Sequence, residues 1–479
     1  MARTHGGIRW YIAAAWAGVV SALIVLAVSE ALALLVAREG SPILAVGSFV
    51  IDIVPQPIKE LAISTFGEYD KIALLVGLGL AVVVAAAVGG MLQLRWPPAG
   101  LVVVALAGAA ATAATVTRAG ATALAWVPVV VGTAAGAVAL WGFVRVLVRW
   151  RGAASLPSVG EAPVATRAAG QLLETPTVHP KTAATDGTLD RRGFFVLTAV
   201  GAVAAIAIGV GARVANVASA SVEAARRAFR IPEPRSRVQI PEGAELDIPD
   251  VSKLFTPNAD FYRVDTALSV PSIDPATWRL TVTGMVDEPF DIGYQDLLDM
   301  GLDEYVVTLT CVSNEVGGGL VGNAKWLGVP IRDLLARAKP QSGADMVLSR
   351  SVDGYTASTP LSALTDSETD AILAVAMNGE PLPLEHGYPV RMVVPGLYGY
   401  VSATKWLTEL KVTTFAQDEA YWTPRGYSAE APIKFSSRVD TPRAGKRVTA
   451  GTIPIAGVAW AQNVGIERVE VSIDDGPWQ

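Results

Sequence analysis

Residues Met377–Leu407 read MNGEPLPLEHGYPVRMVVPGLYGYVSATKWL, a stretch in which turn signals alternate with short apolar runs. Asn378 and Gly379 form a pair that is typical of a tight turn between strands. The apolar runs Ala371–Met377 and Val390–Val394 have the length and composition of buried strands. The stretch therefore predicts two buried strands joined by a turn-rich loop that carries histidine and arginine.

The segments around this stretch also combine short strands and short helices. The alternation of apolar and polar residues in Trp278–Thr283 is typical of a half-buried strand, and Thr404–Phe415 is a further predicted strand. Tyr294–Met300 and Ile331–Lys339 are predicted helices. From about Ile248 onward, the sequence therefore predicts an α+β domain.

The chain has one cysteine, Cys311, within the stretch EYVVTLTCVSNEVGGG (Glu304–Gly319). A β-branched run precedes it and glycines follow it, so the thiol lies at the end of a predicted strand. With a single cysteine, no disulfide can form within the chain. Three uses of the thiol remain open from the residues alone: a packed small side chain, a nucleophile or a metal ligand.

The first part of the chain predicts a membrane region. Of the 479 residues, 51% are hydrophobic and 17% are charged, which is too apolar for a chain without membrane segments. The net charge of −6 and the lack of a basic stripe argue against nucleic acid as a partner. Five segments are long and apolar enough to span a bilayer: Trp10–Ser29, Ile72–Leu92, Ala99–Val116, Ala121–Val144 and Phe194–Ala212.

The distribution of basic residues predicts an orientation for these spans. Arginine and lysine accumulate between the fourth and fifth spans, from Arg145 to Arg192. The positive-inside rule then places that segment and the N-terminus in the cytoplasm. The part after the fifth span is predicted on the exoplasmic side of a multi-pass protein of the cell membrane. The histidines His5, His179 and His386 lie outside the spans, so no haem is predicted in this chain.

A second export signal is predicted in the middle of the chain. Residues 151–190 are rich in Ala, Thr, Pro and Gly and predict a flexible cytoplasmic linker. The linker ends in TLDRRGFFVLTAV, where Arg191 and Arg192 precede a moderately apolar segment. This pattern resembles a twin-arginine signal, whose pathway exports folded proteins. The alternative is an ordinary positively charged flank of a membrane span.

Four separated motifs in a fixed order point to one family. They are TPNADFYRVDTALSVP (Thr256–Pro271), LTCVSNEVGG (Leu309–Gly318), the stretch Met377–Leu407 and AYWTPRGY (Ala420–Tyr427). Together they resemble the sulfite oxidase family of molybdopterin-dependent oxidoreductases. The third motif is the most specific of the four. The resemblance extends from about Asp247 to the end of the chain.

The resemblance implies a molybdenum–molybdopterin cofactor and a set of residues that bind it. Cys311 matches the thiolate that ligates molybdenum, and a soft thiolate suits that ion. Arg391 matches a phosphate-binding guanidinium. Taken alone, His386 would be a satisfied loop histidine. The implied cofactor-binding residues are Asn258, Phe261, Tyr262, Cys311, His386, Arg391, Gly399, Ser402 and Lys405.

The resemblance also implies residues on the substrate side, and it contains one departure. Arg263 matches an arginine that holds an oxyanion near the metal, and Tyr427 matches a tyrosine beside the metal-oxo group. The alternatives are a surface arginine and a packing tyrosine. Sulfite-oxidising members carry a further arginine just after the cysteine, where this sequence has Glu315. That difference puts sulfite itself in doubt.

The expected function is oxygen-atom transfer at molybdenum on a small oxo-anion or sulfur compound. A sulfoxide-type reductase of the same family and a cofactor-free binding or sensor module are the alternatives. Because no haem segment is present in the sequence, electrons are expected to pass to or from a separate carrier, a cytochrome or the quinone pool.

The predicted fold class is an α-helical membrane bundle of about five spans, an α+β molybdopterin-binding domain and a truncated immunoglobulin-like β domain. Residues 429–479 resemble the start of the dimerisation domain of this family, so a homodimer is expected if that domain is complete. Strands are expected at Thr452–Val458 and Arg468–Ile473. The predicted boundaries are 1–150 (four-span region), 151–190 (linker), 191–215 (signal and fifth span), 216–246 (stalk), 247–428 (cofactor domain) and 429–479.

Overall fold

The structure is a computed structural model with two compact units, Met1–Asn216 and Val217–Gln479. It describes residues 5–36, 42–55, 58, 61, 65–66, 70–117, 123–154, 191–216, 219–443 and 445–479. Residues 155–190, most of the predicted linker, lie outside the described residues. Each unit is described by itself below.

The described part of the first unit consists of helices and short connections between them. Its helices are α1 (His5–Val36), α2 (Pro42–Ile53), α3 (Asp70–Arg95), α4 (Ala99–Val116), α5 (Trp126–Ala154) and α6 (Arg191–Asn216). All but α2 are long and apolar enough to cross a membrane, which confirms the five predicted apolar helices. The fourth of these long helices, α5, begins at Trp126, so that Pro128 lies in its first turn, where a missing amide hydrogen costs little. Its C-terminal end takes in Arg151–Ala154 of the predicted linker.

Small residues bring the helices of this unit into close contact. A Cβ atom on Gly18 of α1 would collide with the Ala86 carbonyl of α3, and one on Gly90 would collide with the Ala14 carbonyl of α1. The backbones of α1 and α3 therefore touch where glycines face each other. Such small-residue contacts are a usual way of packing helices in a bilayer.

The second unit contains two five-stranded sheets and a two-stranded sheet. One has the order β2-β1-β10-β5-β6, and the other has the order β3-β4-β7-β8 with β9 paired to β7. The two-stranded sheet pairs β11 with β12. The strands are β1 (Arg279–Gly284), β2 (Phe290–Gly293), β3 (Asp303–Thr310), β4 (Val321–Pro330), β5 (Met346–Ser351), β6 (Thr356–Pro360), β7 (Ile372–Met377), β8 (Glu380–Pro381), β9 (Arg391–Val393), β10 (Leu407–Thr413), β11 (Ser436–Thr441) and β12 (Ala456–Trp460).

Short helices connect these strands and complete the α+β pattern. They are α7 (Ser219–Ala228), α8 (Tyr294–Asp299), α9 (Ile331–Ala338), α10 (Leu361–Thr365) and α11 (Gly399–Ser402), with 3-10 turns at Leu384–His386 and Thr423–Arg425. The predicted strands and helices from Trp278 to Phe415 all occur: four are one or two residues shorter than expected, β1 is shifted by one residue, and β10 is five residues shorter. Strand β7 is buried at every residue, as its uninterrupted apolar sequence predicts.

The predicted stalk, residues 216–246, is partly helical. Val222 of α7 is buried, and the Arg226 Nη1 atom donates a hydrogen bond to the Pro381 carbonyl at 3.2 Å. The Glu223 carboxylate forms ion pairs with Arg226 and Arg227 on the same helix. The start of the predicted stalk therefore packs on the α+β unit to which it belongs.

The C-terminal segment differs from the expectation. The strand expected at Thr452–Val458 begins at Ala456, and no strand forms at Arg468–Ile473. Alternating apolar residues predicted the latter, but Val469 and Ile473 are exposed and only Val471 pairs, through two backbone hydrogen bonds with Gln479. A strand needs a neighbour along its length, and none lies there in the described part of the chain. The immunoglobulin-like fold remains a prediction.

Candidate functional site

Cys311 directly follows β3 and lines a cavity of about 130 Å³ that opens to solvent. Its amide donates a hydrogen bond to the Leu320 carbonyl, and its carbonyl accepts one from the Asn314 amide, both at 3.0 Å. The side chain is half-buried. Burial raises the pKa of the Cys311 thiol, and hydrogen bonds with Ser313 oppose that rise.

Aromatic side chains form part of the cavity wall. Phe261 and Tyr262 stack at 5.4 Å between ring centroids, and Phe261 meets the His386 ring edge-to-face at 5.6 Å. Phe261 lies on Gly322 of β4, where a Cβ atom would come within 2.5 Å of the phenyl ring. Gly322 therefore provides the space that brings the first motif against the cavity.

Arg391, the first residue of β9, is a buried cation in the cavity wall. Its Nη1 donates to the His386 carbonyl at 3.1 Å and its Nη2 to the Ala403 carbonyl at 3.5 Å, while the guanidinium lies 5.0 Å from the Trp326 ring centroid. Within the described part of the chain, the buried Nε atom has no hydrogen-bond partner. Burial lowers the pKa of the guanidinium to about 10.

A buried carboxylate, Asp265, holds two cations beside the cavity. Its Oδ2 atom lies 2.8 Å from the Lys405 Nζ and 2.9 Å from the Arg263 Nε. Lys405 also donates to the Glu385 carbonyl at 3.1 Å. Burial lowers the pKa of Lys405 to about 8, although Asp265 opposes that shift. Arg263 is more exposed, with 40% of its side chain accessible, and does not line the cavity.

His386 is a neutral, oriented histidine. Burial, together with the charges of Arg391 and Lys405, lowers its pKa to about 4. Its Nε2 atom lies 3.2 Å from the Asn258 carbonyl oxygen, which only accepts hydrogen bonds. The Nε2 atom therefore carries the hydrogen, and Nδ1 is left as an acceptor.

The structure brings most of the residues implied by the resemblance to one cavity. Its wall includes Phe261, Tyr262, Cys311, His386, Arg391, Gly399 and Lys405. Asn258 reaches the site through its carbonyl oxygen, while its side chain bonds to Asn378 and the Met377 carbonyl. The buried Ser402 hydroxyl donates to the Leu397 and Tyr398 carbonyls and does not line the cavity.

Tyr427 and Glu315 lie outside the cavity wall. Tyr427 packs against Trp422, which does line the cavity, with 4.8 Å between ring centroids. Glu315 lies in the exposed loop after Cys311. The charge of the cavity is therefore set by residues other than Glu315.

Several wall residues were not among those predicted from the sequence. They are Asp265, Ser351, Asp353 and Tyr355, among others. Asp265 lies inside the first motif, only two residues from Arg263. Asp353 precedes Gly354 in a turn between β5 and β6, a pair typical of hairpins, so the sequence held a signal for the turn. It held no signal that this turn lines the same cavity as Cys311.

The chain resembles known enzymes over its second unit. Residues 267–422 match the family model described as "Oxidoreductase molybdopterin binding domain". Mitochondrial sulfite oxidase of Homo sapiens is 33% identical over 266 residues, covering 47% of this chain and 48% of that protein. Sulfite oxidase of Arabidopsis thaliana is 30% identical over 274 residues, covering 47% of this chain and 69% of that protein. Nitrate reductase (NADPH) of Beauveria bassiana is 33% identical over 172 residues, covering 32% of this chain and 19% of that protein.

The domain match and these relatives define a molybdenum-cofactor oxidoreductase. The chain belongs to the sulfite oxidase family, which confirms the resemblance read from the four motifs. It spans about half the length of the human sulfite oxidase, 48%.

Proposed function

We propose that this protein is a membrane-anchored, exported oxidoreductase that transfers an oxygen atom between molybdenum and a small oxo-anion or sulfur compound. The observation that carries the proposal is that Cys311, Arg391 and Lys405 line the same cavity. Sulfite and water would give sulfate, two protons and two electrons. A sulfoxide with two protons and two electrons would give a thioether and water.

The residues of the cavity wall fit the molybdenum cofactor. Arg391 is a buried cation with an unpartnered Nε, as far as the structure describes the chain, and a phosphate oxygen would satisfy that donor. The buried Ser351 hydroxyl of the same wall likewise has no partner among the described residues. When bound, the cofactor supplies a metal that exchanges an oxygen atom together with two electrons.

Cys311 would be the protein's ligand to the metal. Thiolates are soft ligands, and a metal ion nearby favours the deprotonated sulfur that burial alone disfavours. No group of three or more His, Cys, Asp or Glu side chains that could hold a metal occurs in the described part of the chain. The remaining ligands would therefore come with the cofactor.

Two further wall residues would orient the cofactor. His386 keeps its Nε2 hydrogen on the Asn258 carbonyl, so its Nδ1 would accept a hydrogen from a pterin N–H group. Lys405 would add a second cation at the edge of the cofactor, and Phe261 and Tyr262 would exclude water from one side. Gly399 and Ser402 would contribute through the backbone of α11.

The substrate side and the electron path are parts of the same proposal. Tyr427 would act through Trp422, which it contacts, and Arg263 would reach a substrate only after leaving Asp265. A small molecule is the substrate, and a separate carrier, a cytochrome or the quinone pool, exchanges electrons. No haem is expected in this chain, and a homodimer is expected with a complete C-terminal domain.

The five long apolar helices support a membrane anchor. With the basic residues between the fourth and fifth of them, the orientation puts the cofactor domain on the exoplasmic side. The Arg191-Arg192 pair at the start of α6 would serve as the twin-arginine signal.

Turnover assays of the full chain in detergent test the proposed function. Wild type should oxidise sulfite or reduce a methyl sulfoxide with artificial electron carriers. Cys311→Ser should lose this activity while retaining its fold, and the exposed matched change Ser437→Ala should leave it unchanged. Equal turnover by Cys311→Ser and wild type would show that Cys311 is not the ligand to molybdenum.

A cofactor-free binding or sensor module is the alternative of another class. It would leave Arg391 buried without a counter-charge, which is an unfavourable state for a cation. Wild-type protein that lacks both molybdenum and pterin after expression in a molybdenum-replete host would favour this alternative.

A further inference from the structure

Asp265 makes a shared ion pair inside the cavity wall. Only 4% of its side chain is exposed, and the same Oδ2 atom contacts the Lys405 Nζ and the Arg263 Nε. A carboxylate so placed holds two cations that would otherwise be available to an anion. The family resemblance implies that an arginine here holds an oxyanion, yet this arginine is bound to a carboxylate of its own chain.

The charges of the cavity wall balance before any cofactor binds. The charged residues that line it in the described part of the chain are two carboxylates, Asp265 and Asp353, and two cations, Arg391 and Lys405. His386 is neutral at physiological pH. From the described residues, Asp353 receives weak hydrogen bonds from the Thr266 hydroxyl at 3.4 Å and the Tyr355 amide at 3.3 Å.

The cofactor shifts this balance toward negative charge. On the proposed function, the anionic phosphate of the cofactor engages Arg391, the wall cation that has no ion pair among the described residues. Lys405 is already paired with Asp265, and Asp353 adds a further negative charge. A site that binds an oxo-dianion needs fixed positive charge directed at it. After cofactor binding, the described residues of this wall would offer no unpaired cation to direct at a dianion.

Aromatic side chains make up much of the remaining wall. The cavity is lined by Tyr355, Tyr400, Trp406 and Trp422. The Tyr355 hydroxyl donates a hydrogen bond to the Tyr400 carbonyl at 2.7 Å. Aromatic faces pack against alkyl and aryl substituents. They offer little to sulfite, which has no such substituent.

We infer that Asp265 is a specificity-determining residue, which makes the site select uncharged oxo compounds, such as sulfoxides, over free oxo-dianions, such as sulfite. The inference rests on the proposed function, because the substrate would meet this charge distribution only with the cofactor in place. Asp265 acts by holding Lys405 and Arg263, and it is not itself placed on the reacting atoms.

The test compares a dianion with an uncharged ligand. The full-length holo-protein is titrated with sulfate, a non-reacting dianion, and the KM values for sulfite and dimethyl sulfoxide are measured. Asp265→Asn keeps the shape of the side chain and removes its charge. Asp260→Asn is the matched control, because Asp260 is exposed on the same segment and does not line the cavity.

Wild type and Asp260→Asn should bind sulfate weakly and favour dimethyl sulfoxide over sulfite. Asp265→Asn should bind sulfate with about tenfold or higher affinity and lower the KM for sulfite by a similar factor. This is the size of effect expected when one nearby charge is removed at an effective dielectric of about 20. The KM for dimethyl sulfoxide should change much less. A purely structural role of Asp265 would alter both ligands alike.

Tight sulfate binding by wild type, or equal changes for both ligands in Asp265→Asn, would overturn the inference. Should Asp265→Asn not fold, the wild-type titration still decides, and Asp265→Glu, which keeps the charge, should retain wild-type selectivity. A wild type that turns over neither substrate would refute the proposed function, while the sulfate titration would still test the charge argument.

Discussion

Replacement of Arg391 by methionine separates a cofactor-binding arginine from a structural one. The variant keeps a long side chain and removes the charge. In a structural role, loss of a buried, paired arginine costs about 3–5 kcal/mol of stability. Arg391 has no carboxylate partner among the described residues, so its charge is a cost to the cofactor-free protein.

The size of that cost follows from the pKa of Arg391. Burial lowers it from 12.5 to about 10, and each pKa unit is worth about 1.4 kcal/mol. Below pH 10, therefore, the charge destabilises the cofactor-free fold by about 3 kcal/mol. The variant also loses two hydrogen bonds to carbonyls, worth about 1 kcal/mol each, and a contact with Trp326 worth about 1 kcal/mol. These effects nearly cancel.

The expected result is a crossover between the two forms of the protein. Without cofactor, the free energy of unfolding of Arg391→Met should lie within about 1.5 kcal/mol of that of wild type. With cofactor, the loss of charge-assisted hydrogen bonds to a phosphate should cost about 3 kcal/mol, or about 100-fold in cofactor affinity.

Pulse proteolysis in urea measures stability for full-length protein in detergent, purified from hosts with and without molybdenum-cofactor synthesis. Pterin release measures cofactor affinity. Arg350→Met is the control, because Arg350 is partly exposed, pairs with Glu409 and does not line the cavity. A cofactor-free Arg391→Met that loses 3–5 kcal/mol, with unchanged pterin retention, would refute the reasoning.

Three further predictions concern the supports of the site. Burial lowers the pKa of His386 to about 4, so the unfolded chain binds a proton at this histidine before the folded chain does as the pH falls below 6.5. In urea titrations, the free energy of unfolding of wild type should therefore fall by up to about 3 kcal/mol between pH 6.5 and 4, and that of His386→Gln should fall less. Gly322→Ala should displace Phe261 and cost about 1–3 kcal/mol with loss of pterin, whereas Gly319→Ala, which meets nothing within 4 Å, should do neither; equal effects would contradict the packing. Arg438 donates to the Gly318 carbonyl at 2.6 Å in the loop after the cysteine, so Arg438→Ala should speed proteolysis of that loop and Arg438→Lys should do so less; unchanged cleavage would exclude this support.

Much of the second unit could be predicted because its local patterns agree with its tertiary contacts. The buried strand β7 is apolar at every residue, and Asn378 and Gly379 form the turn after it. The five apolar helices followed from length and composition. In these cases the signal lies within one short segment of sequence.

The parts that could not be predicted depend on contacts between distant segments. Arg468–Ile473 alternates as a strand does, yet strand formation needs a partner along its length. Arg263 matched a substrate-binding position, and its ion pair with Asp265 became visible only with the side chains in place. No sequence period predicts that Asp353 of another turn joins the same cavity.

The coordination of molybdenum by Cys311 is the central claim, and X-ray absorption at the molybdenum edge tests it most directly. Full-length protein from a molybdenum-replete host should show one more sulfur neighbour of the metal in wild type than in Cys311→Ser. The same sulfur coordination in both proteins, or wild type without molybdenum, would contradict the account.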